Sequence, residues 1–95
     1  MYAVLIEVNA DESHVEAARR YLPKVAAPTA REAGAKGGYW LAPQNGRGLS
    51  VVVFDTEDEA RATASHFEVG KPADPSGEVG VIVKTVEVRE VLASV

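Results

Sequence analysis

Cysteine is absent from this chain, which removes disulfide frameworks and thiolate metal sites together. No apolar run approaches the roughly 20 residues that a membrane-spanning helix needs. The apolar N-terminus, Met1 to Val8, is short, lacks a preceding basic region and runs through Glu7, so it reads as a strand rather than a signal peptide or membrane span. Charge of one sign is also scarce. The formal net charge is -4, and the basic residues Arg19, Arg20, Lys24, Arg31, Lys36 and Arg47 are scattered, leaving no contiguous footprint for DNA or RNA. These absences point to a cytoplasmic protein with neither nucleic acid nor membrane as a partner.

What is present is enough to fold. With 46% hydrophobic residues the chain is too apolar to be disordered. Residues 1–95 form a single domain, and a lone domain of this size buries only roughly 60 to 65% of the surface exposed by its unfolded form. Further burial in an oligomer is expected.

Val4, Ile6 and Val8 alternate with Leu5, Glu7 and Asn9, the period of a strand with one apolar and one mixed face. The period then changes. Val15, Ala18, Leu22 and Val25 recur at helical spacing behind a capping-box pattern of Ser13 and Glu16. Pro23 and Pro28 each remove an amide donor, predicting a kink near Tyr21 or a break into two short pieces, and Gly34 closes the helix. Gly37 and Gly38 lead into a run ending at Pro43, and Asn45-Gly46 joins that run to a second one, Gly48 to Asp55, as a hairpin turn. Thr56 and Glu59 form another capping box, Glu57 and Asp58 suit the positive end of the dipole, and Ala60, Ala64 and Phe67 line one face of a second helix. A Pro/Gly loop and a long β-branched strand end the chain.

The order β-α-β-β-α-β predicts an α+β fold of the ferredoxin-like, split βαβ kind, with a four-stranded antiparallel sheet and both helices on one face. Val51 and Val53 on one side of the third strand and Val52 and Phe54 on the other make both sheet faces apolar. A second copy of the chain is the simplest cover for the face without helices, so a homodimer is expected.

Gly-Gly-Tyr-Trp at 37–40, the Asn-Gly hairpin, Phe54-Asp55-Thr56 opening an Ala-rich helix and the long final strand together resemble the dimeric α/β barrel superfamily that includes antibiotic biosynthesis monooxygenases. The resemblance spans nearly the whole chain. It implies a dimeric α/β barrel with a pocket between helices and sheet, where relatives oxidise electron-rich aromatic polyketides without metal or flavin. The same barrel also serves heme-degrading enzymes, isomerases and members without known activity. The heme-degrading branch uses an axial histidine on an additional helix after the second one, and this chain has only the Pro/Gly loop there. No cofactor is therefore implied.

Candidate pocket residues follow from strand and helix position. Trp40, the sole tryptophan, and Tyr39 point to opposite faces, so one faces the helices and the other the dimer interior. Glu7 and Asn9 occupy the mixed face of the first strand, where a partly buried carboxylate can act as a general base, and Tyr21 can aim its hydroxyl at the same cavity. His14 and His66 read as surface residues at helix ends. No His/Asp/Glu set has ligand spacing on a shared face, so no metal site is expected, and Asn45 to Gly48 opens a strand rather than a helix and is no phosphate loop. Three functions remain open: a cofactor-independent oxygenase or isomerase acting on an aromatic or polyketide-like molecule, a noncatalytic module holding an apolar ligand, and a dimerisation unit with a closed cavity.

Overall fold

The alternation of Val4, Ile6 and Val8 makes the first strand, β1 (Tyr2–Asn9), in a computed structural model that describes all 95 residues, Met1–Val95. β2 (Gly37–Gln44), β3 (Arg47–Phe54) and β4 (Ile82–Glu90) complete one antiparallel sheet in the order β2-β3-β1-β4. The α+β class, the four antiparallel strands and the ferredoxin-like order thus follow the sequence pattern. No helix is long and apolar enough to cross a membrane.

The β2–β3 turn is set by Asn45 at φ 56° and Gly46 at φ 76°, the left-handed pair that a two-residue hairpin turn requires. Two irregularities shape the sheet. Between Leu41 and Gln44 the β2–β3 register slips, so Pro43 falls where its missing donor costs no ladder bond. Between Glu7 and Val8 the β1–β4 register slips, leaving Lys84 as the unpaired extra residue.

The first helical region starts differently from its sequence pattern. Asp11, not Ser13, is the N-cap: its side chain accepts from the Ser13 amide at 2.8 Å, and the His14 Nδ1 accepts from the Asp11 amide at 3.0 Å. An imidazole thus takes the reach-back role usually given to a glutamate. A short 3₁₀ turn, Glu12–His14, leads into α1 (Val15–Tyr21), a π-helical turn (Leu22–Ala26) and α2 (Ala27–Glu32), all in one continuous run. Neither a break nor separate pieces results from Pro23 and Pro28. The wider π turn, in which the Ala27 amide donates to the Leu22 carbonyl five residues back, absorbs the missing donor. It also adds a residue to the repeat, so Val25 rotates out to 43% exposure and Ala26 takes the inward position.

Gly34, at φ 104°, ends this run as sequence suggests. Its amide donates to the Arg31 carbonyl at 3.1 Å and the Ala35 amide to the Ala30 carbonyl at 3.0 Å, a Schellman closure that satisfies the last carbonyls. α3 (Glu57–Ala64) carries the Thr56–Glu59 capping box read from its sequence, and Ala60 buries completely against the sheet.

The core lies between the helices and one sheet face, built from Val4, Ile6, Val52, Phe54, Ala60 and Val83. Cross-strand pairs Val4↔Val52 and Ile6↔Ser50 fix which residues share that face. Leu5, Glu7 and Asn9, paired with Val51, Leu49 and Arg47, take the other face, which no element of the chain covers.

Candidate functional site

A hollow of about 440 Å³ separates the first helical region from the covered face of the sheet. Small side chains make it. Ala18, Ala26, Ala30 and Ala33 face Val4, Ile6, Val8 and Val52 across a gap that larger residues would close. Of the 27 lining residues 18 are hydrophobic, so the space suits a mostly apolar molecule. The segment between α3 and β4 walls one side through Ala73, Asp74, Pro75, Val79 and Val81.

That wall is stapled by one buried carboxylate. Asp74 is 3% exposed, and its Oδ1 accepts from the Ser76 amide at 2.8 Å, the Ser76 hydroxyl at 2.5 Å and the Gly77 amide at 3.1 Å, while Oδ2 accepts from the Val79 amide at 2.7 Å. Burial works against the charge, but the Ser76 hydroxyl and the three amides outweigh it and hold the carboxyl below its ordinary value. Both oxygens are occupied by the loop. Asp74 is therefore a structural anion rather than a free base.

Tyr21 and Trp40 line the hollow, as their sequence positions suggested for Tyr21 and for one of the two aromatics. Burial, then the carboxylates of Asp74 and Glu78, push the Tyr21 phenol above its ordinary value, so it stays protonated and able to donate at neutral pH. Trp40 stands opposite Ser50 in the β2–β3 ladder, and Ser50, only 9% exposed, puts a hydroxyl on an otherwise apolar floor.

Glu7, Asn9 and Tyr39 are not part of this hollow. All three occupy the uncovered face, because β1 and β2 present alternate residues to opposite sides. Tyr39 is 75% exposed there. The Glu7 carboxylate lies 3.1 Å from Arg47 Nε and 3.4 Å from Lys84 Nζ, the bulged residue of β4. The Arg47 hydrogen bond leads the effects that hold Glu7 below its ordinary value, against a smaller opposing cost of burial. A carboxylate so held is a poor general base.

Of the two histidines, His66 is exposed as its position suggested, and His14 is half-buried. His14 and His66 both line the hollow, and the His14 side chain is only 27% exposed. Asp11 Oδ1 also lies 3.3 Å from His14 Nδ1, but that nitrogen cannot accept from the Asp11 amide and donate to the carboxylate at once. The directed 3.0 Å amide bond decides between them: Nδ1 is the acceptor, and Nε2 carries the proton as a free donor. Ser50, Thr29, Thr63 and both histidines, none of them singled out as pocket residues from sequence, line the hollow with Tyr21. Ser50 left one trace, a hydroxyl in the register of Val52 and Phe54.

Gly38 and Gly37 differ in what requires them. A Cβ on Gly38 would stand 3.1 Å from the Val51 carbonyl oxygen and 3.2 Å from Val52 Cγ2, whereas one on Gly37 would meet nothing within 4 Å. No group of three or more His, Asp or Glu side chains is placed to hold a metal ion. The chain matches no family model and no curated protein sequence, so its function must be read from the fold and the hollow.

Proposed function

We propose that this chain is a homodimeric α/β barrel protein, akin to the antibiotic biosynthesis monooxygenases, that takes a small aromatic or polyketide-like molecule into its helix–sheet hollow, with cofactor-independent oxygenase or isomerase chemistry as its activity. The observation that carries this reading is the hollow itself: about 440 Å³, mainly apolar, with donors from Tyr21, His14 and Trp40 and a hydroxyl from Ser50 around it. That volume falls in the range of small-molecule sites, about 300–1,000 Å³. A ring fits the apolar walls, and one or two hydroxyl or carbonyl groups satisfy the donors. Such donors would also stabilise the oxyanion of a deprotonated phenol or enol.

Dimerisation is supported by the uncovered sheet face, where Tyr39 is 75% exposed beside Val51 and Val53. β4 ends at Glu90, and beyond it Leu92 is 90% exposed, an apolar side chain that a partner copy would cover.

One observation favours the second reading, a noncatalytic binding module. Neither nearby carboxylate is free, since Asp74 is consumed by its loop and Glu7 lies on the opposite face, and His14 Nδ1 is engaged by the backbone. Oxygen uptake with a hydroxyanthrone, in protein stripped of metal and flavin, separates the two. The oxygenase reading expects uptake above the uncatalysed rate, slowed in Trp40→Phe by more than any loss of thermal stability explains. Saturable binding without uptake leaves the binding module, and an absence of binding overturns both.

A further inference from the structure

Behind Trp40 lies a second, smaller hollow of about 280 Å³, bounded by Ala27, Ala30, Arg31, Ala35, Lys36, Gly37 and Gly38 on its outer side. Ala30, Trp40 and Val52 line both spaces, so the two meet around the indole. Its charge is unlike that of the rest of the molecule. The chain carries 14 acidic and 10 basic side chains, yet the nine residues around this annex include two cations and no carboxylate.

Arg31, like Arg20, makes no ion pair within the chain, whereas Arg19, Arg47, Arg61 and Arg89 each have a partner. Lys36 touches only Asp55, at 3.6 Å with both side chains more than half exposed, a contact that is readily exchanged. The end of α2 ordinarily repels anions through its unpaired carbonyls. Here the carbonyls of Thr29, Ala30 and Arg31 all accept hydrogen bonds from the closing turn, which mutes that effect. Gly38 keeps the floor of the annex flat, since a side chain there would collide with Val51 and Val52.

Resting on the small-molecule reading of the larger hollow, we propose that its ligand is an aromatic carboxylic acid: the rings lie in the apolar hollow against Trp40, and the carboxylate reaches the annex, where Arg31 and Lys36 hold it. A planar guanidinium can pair with both oxygens of a carboxylate, while the lysine supplies a mobile second charge.

Calorimetric titration of the full chain with 2-naphthoate and 2-naphthol tests this, because the probes share their rings and differ in charge. Naphthoate binds about fivefold more tightly, the scale of a partly exposed ion pair. Raising salt to about 0.5 M removes most of that preference and leaves naphthol binding as it was. Arg31→Gln, an exposed substitution, brings the two affinities within about twofold of each other, the residual expected of Lys36 alone. Ala27→Leu, which fills the annex from a helix position that tolerates leucine, weakens naphthoate more than naphthol. Equal affinities in the unaltered protein, or a preference that survives both salt and Arg31→Gln, overturns the acid assignment while the ligand-binding reading stands. Binding of neither probe overturns both.

Discussion

The two faces of the sheet carry the same kind of residue and meet opposite fates. On one, Val4, Phe54 and Val83 are 0 to 1% exposed beneath helices; on the other, Tyr39 stands 75% exposed beside Val51 and Val53 with no helix above it. Apolar content does not separate them. What differs is the shape of the cover and the position of charge. The covered face is roofed by alanine-rich helices that cannot fill the space they span, so a hollow remains. The bare face has no helix over it and carries ion pairs, Glu7 with Arg47 and Lys84 and Glu87 with Arg89, beside the apolar Val51 and Val53. On the reading proposed above, the first face holds a small molecule and the second meets another copy of the chain.

Deleting the anchor of the covered face is the largest perturbation. Phe54 is fully buried, and Phe54→Ala should cost about 3–5 kcal/mol, read as a lowered denaturation midpoint with an unchanged slope. Tyr39→Ala should cost the isolated subunit far less, and equal losses from the two would erase the contrast between the faces.

A charge placed on the bare face should act on association instead. Val51 and Val53 belong there, while Val52 lies in the core, so Val51→Asp is the dissociating change and Val52→Asp the unfolding one. Sedimentation at micromolar concentration should show a dimer for the unaltered chain and a folded monomer for Val51→Asp. A stable monomer in both cases would end the dimer proposal.

The wall of the hollow should respond to acid. The Asp74 carboxyl is depressed in the folded state, so its contribution is complete above the unfolded value near 3.9 and is lost as pH falls through the lower folded value. Asp74→Asn should therefore be less stable by about 1–3 kcal/mol at neutral pH, with the gap constant from about pH 5 to 8 and narrowing below about pH 4. A gap that does not change with pH would mean the charge contributes nothing. Smallest of the four, Thr56→Ala removes the cap of α3 and should cost about 1 kcal/mol, since the Thr56 hydroxyl accepts from the Glu59 amide at 3.2 Å. Thermal unfolding measures it directly.

Much of the fold could be read from local pattern, because local pattern causes it. Alternation in β1 and β3, the positive φ of Asn45 and Gly46 and the Thr56–Glu59 box each act within a few residues. The first helix was less legible. Its Ser13–Glu16 pattern was outcompeted by Asp11, whose carboxylate reaches the Ser13 amide first, and the π turn that shifted the apolar face off Val25 depends on how the chain accommodates Pro23. Of the residues that line the hollow, Trp40 and Tyr21 were named from sequence position and the rest were not. Helix ends usually face solvent, and only the packing of α1, α3 and the Asp74 loop turns the ends bearing His14 and His66 into the rim of a hollow. Glu7 was assigned a pocket role from its polarity, yet strand parity puts it with Arg47 on the bare face.

Under the proposed function, the ligand sits on the covered face of the sheet. Two-dimensional NMR of the full chain titrated with 2-naphthol tests it most directly, because the two faces report through separate residues. A ligand in the hollow should give saturable shifts of the Trp40 indole, the His14 and Tyr21 rings and the Val52 methyls, with Tyr39 and the Val51 and Val53 methyls unmoved. Shifts confined to Tyr39, Val51 and Val53, or none at saturating naphthol, would rule it out.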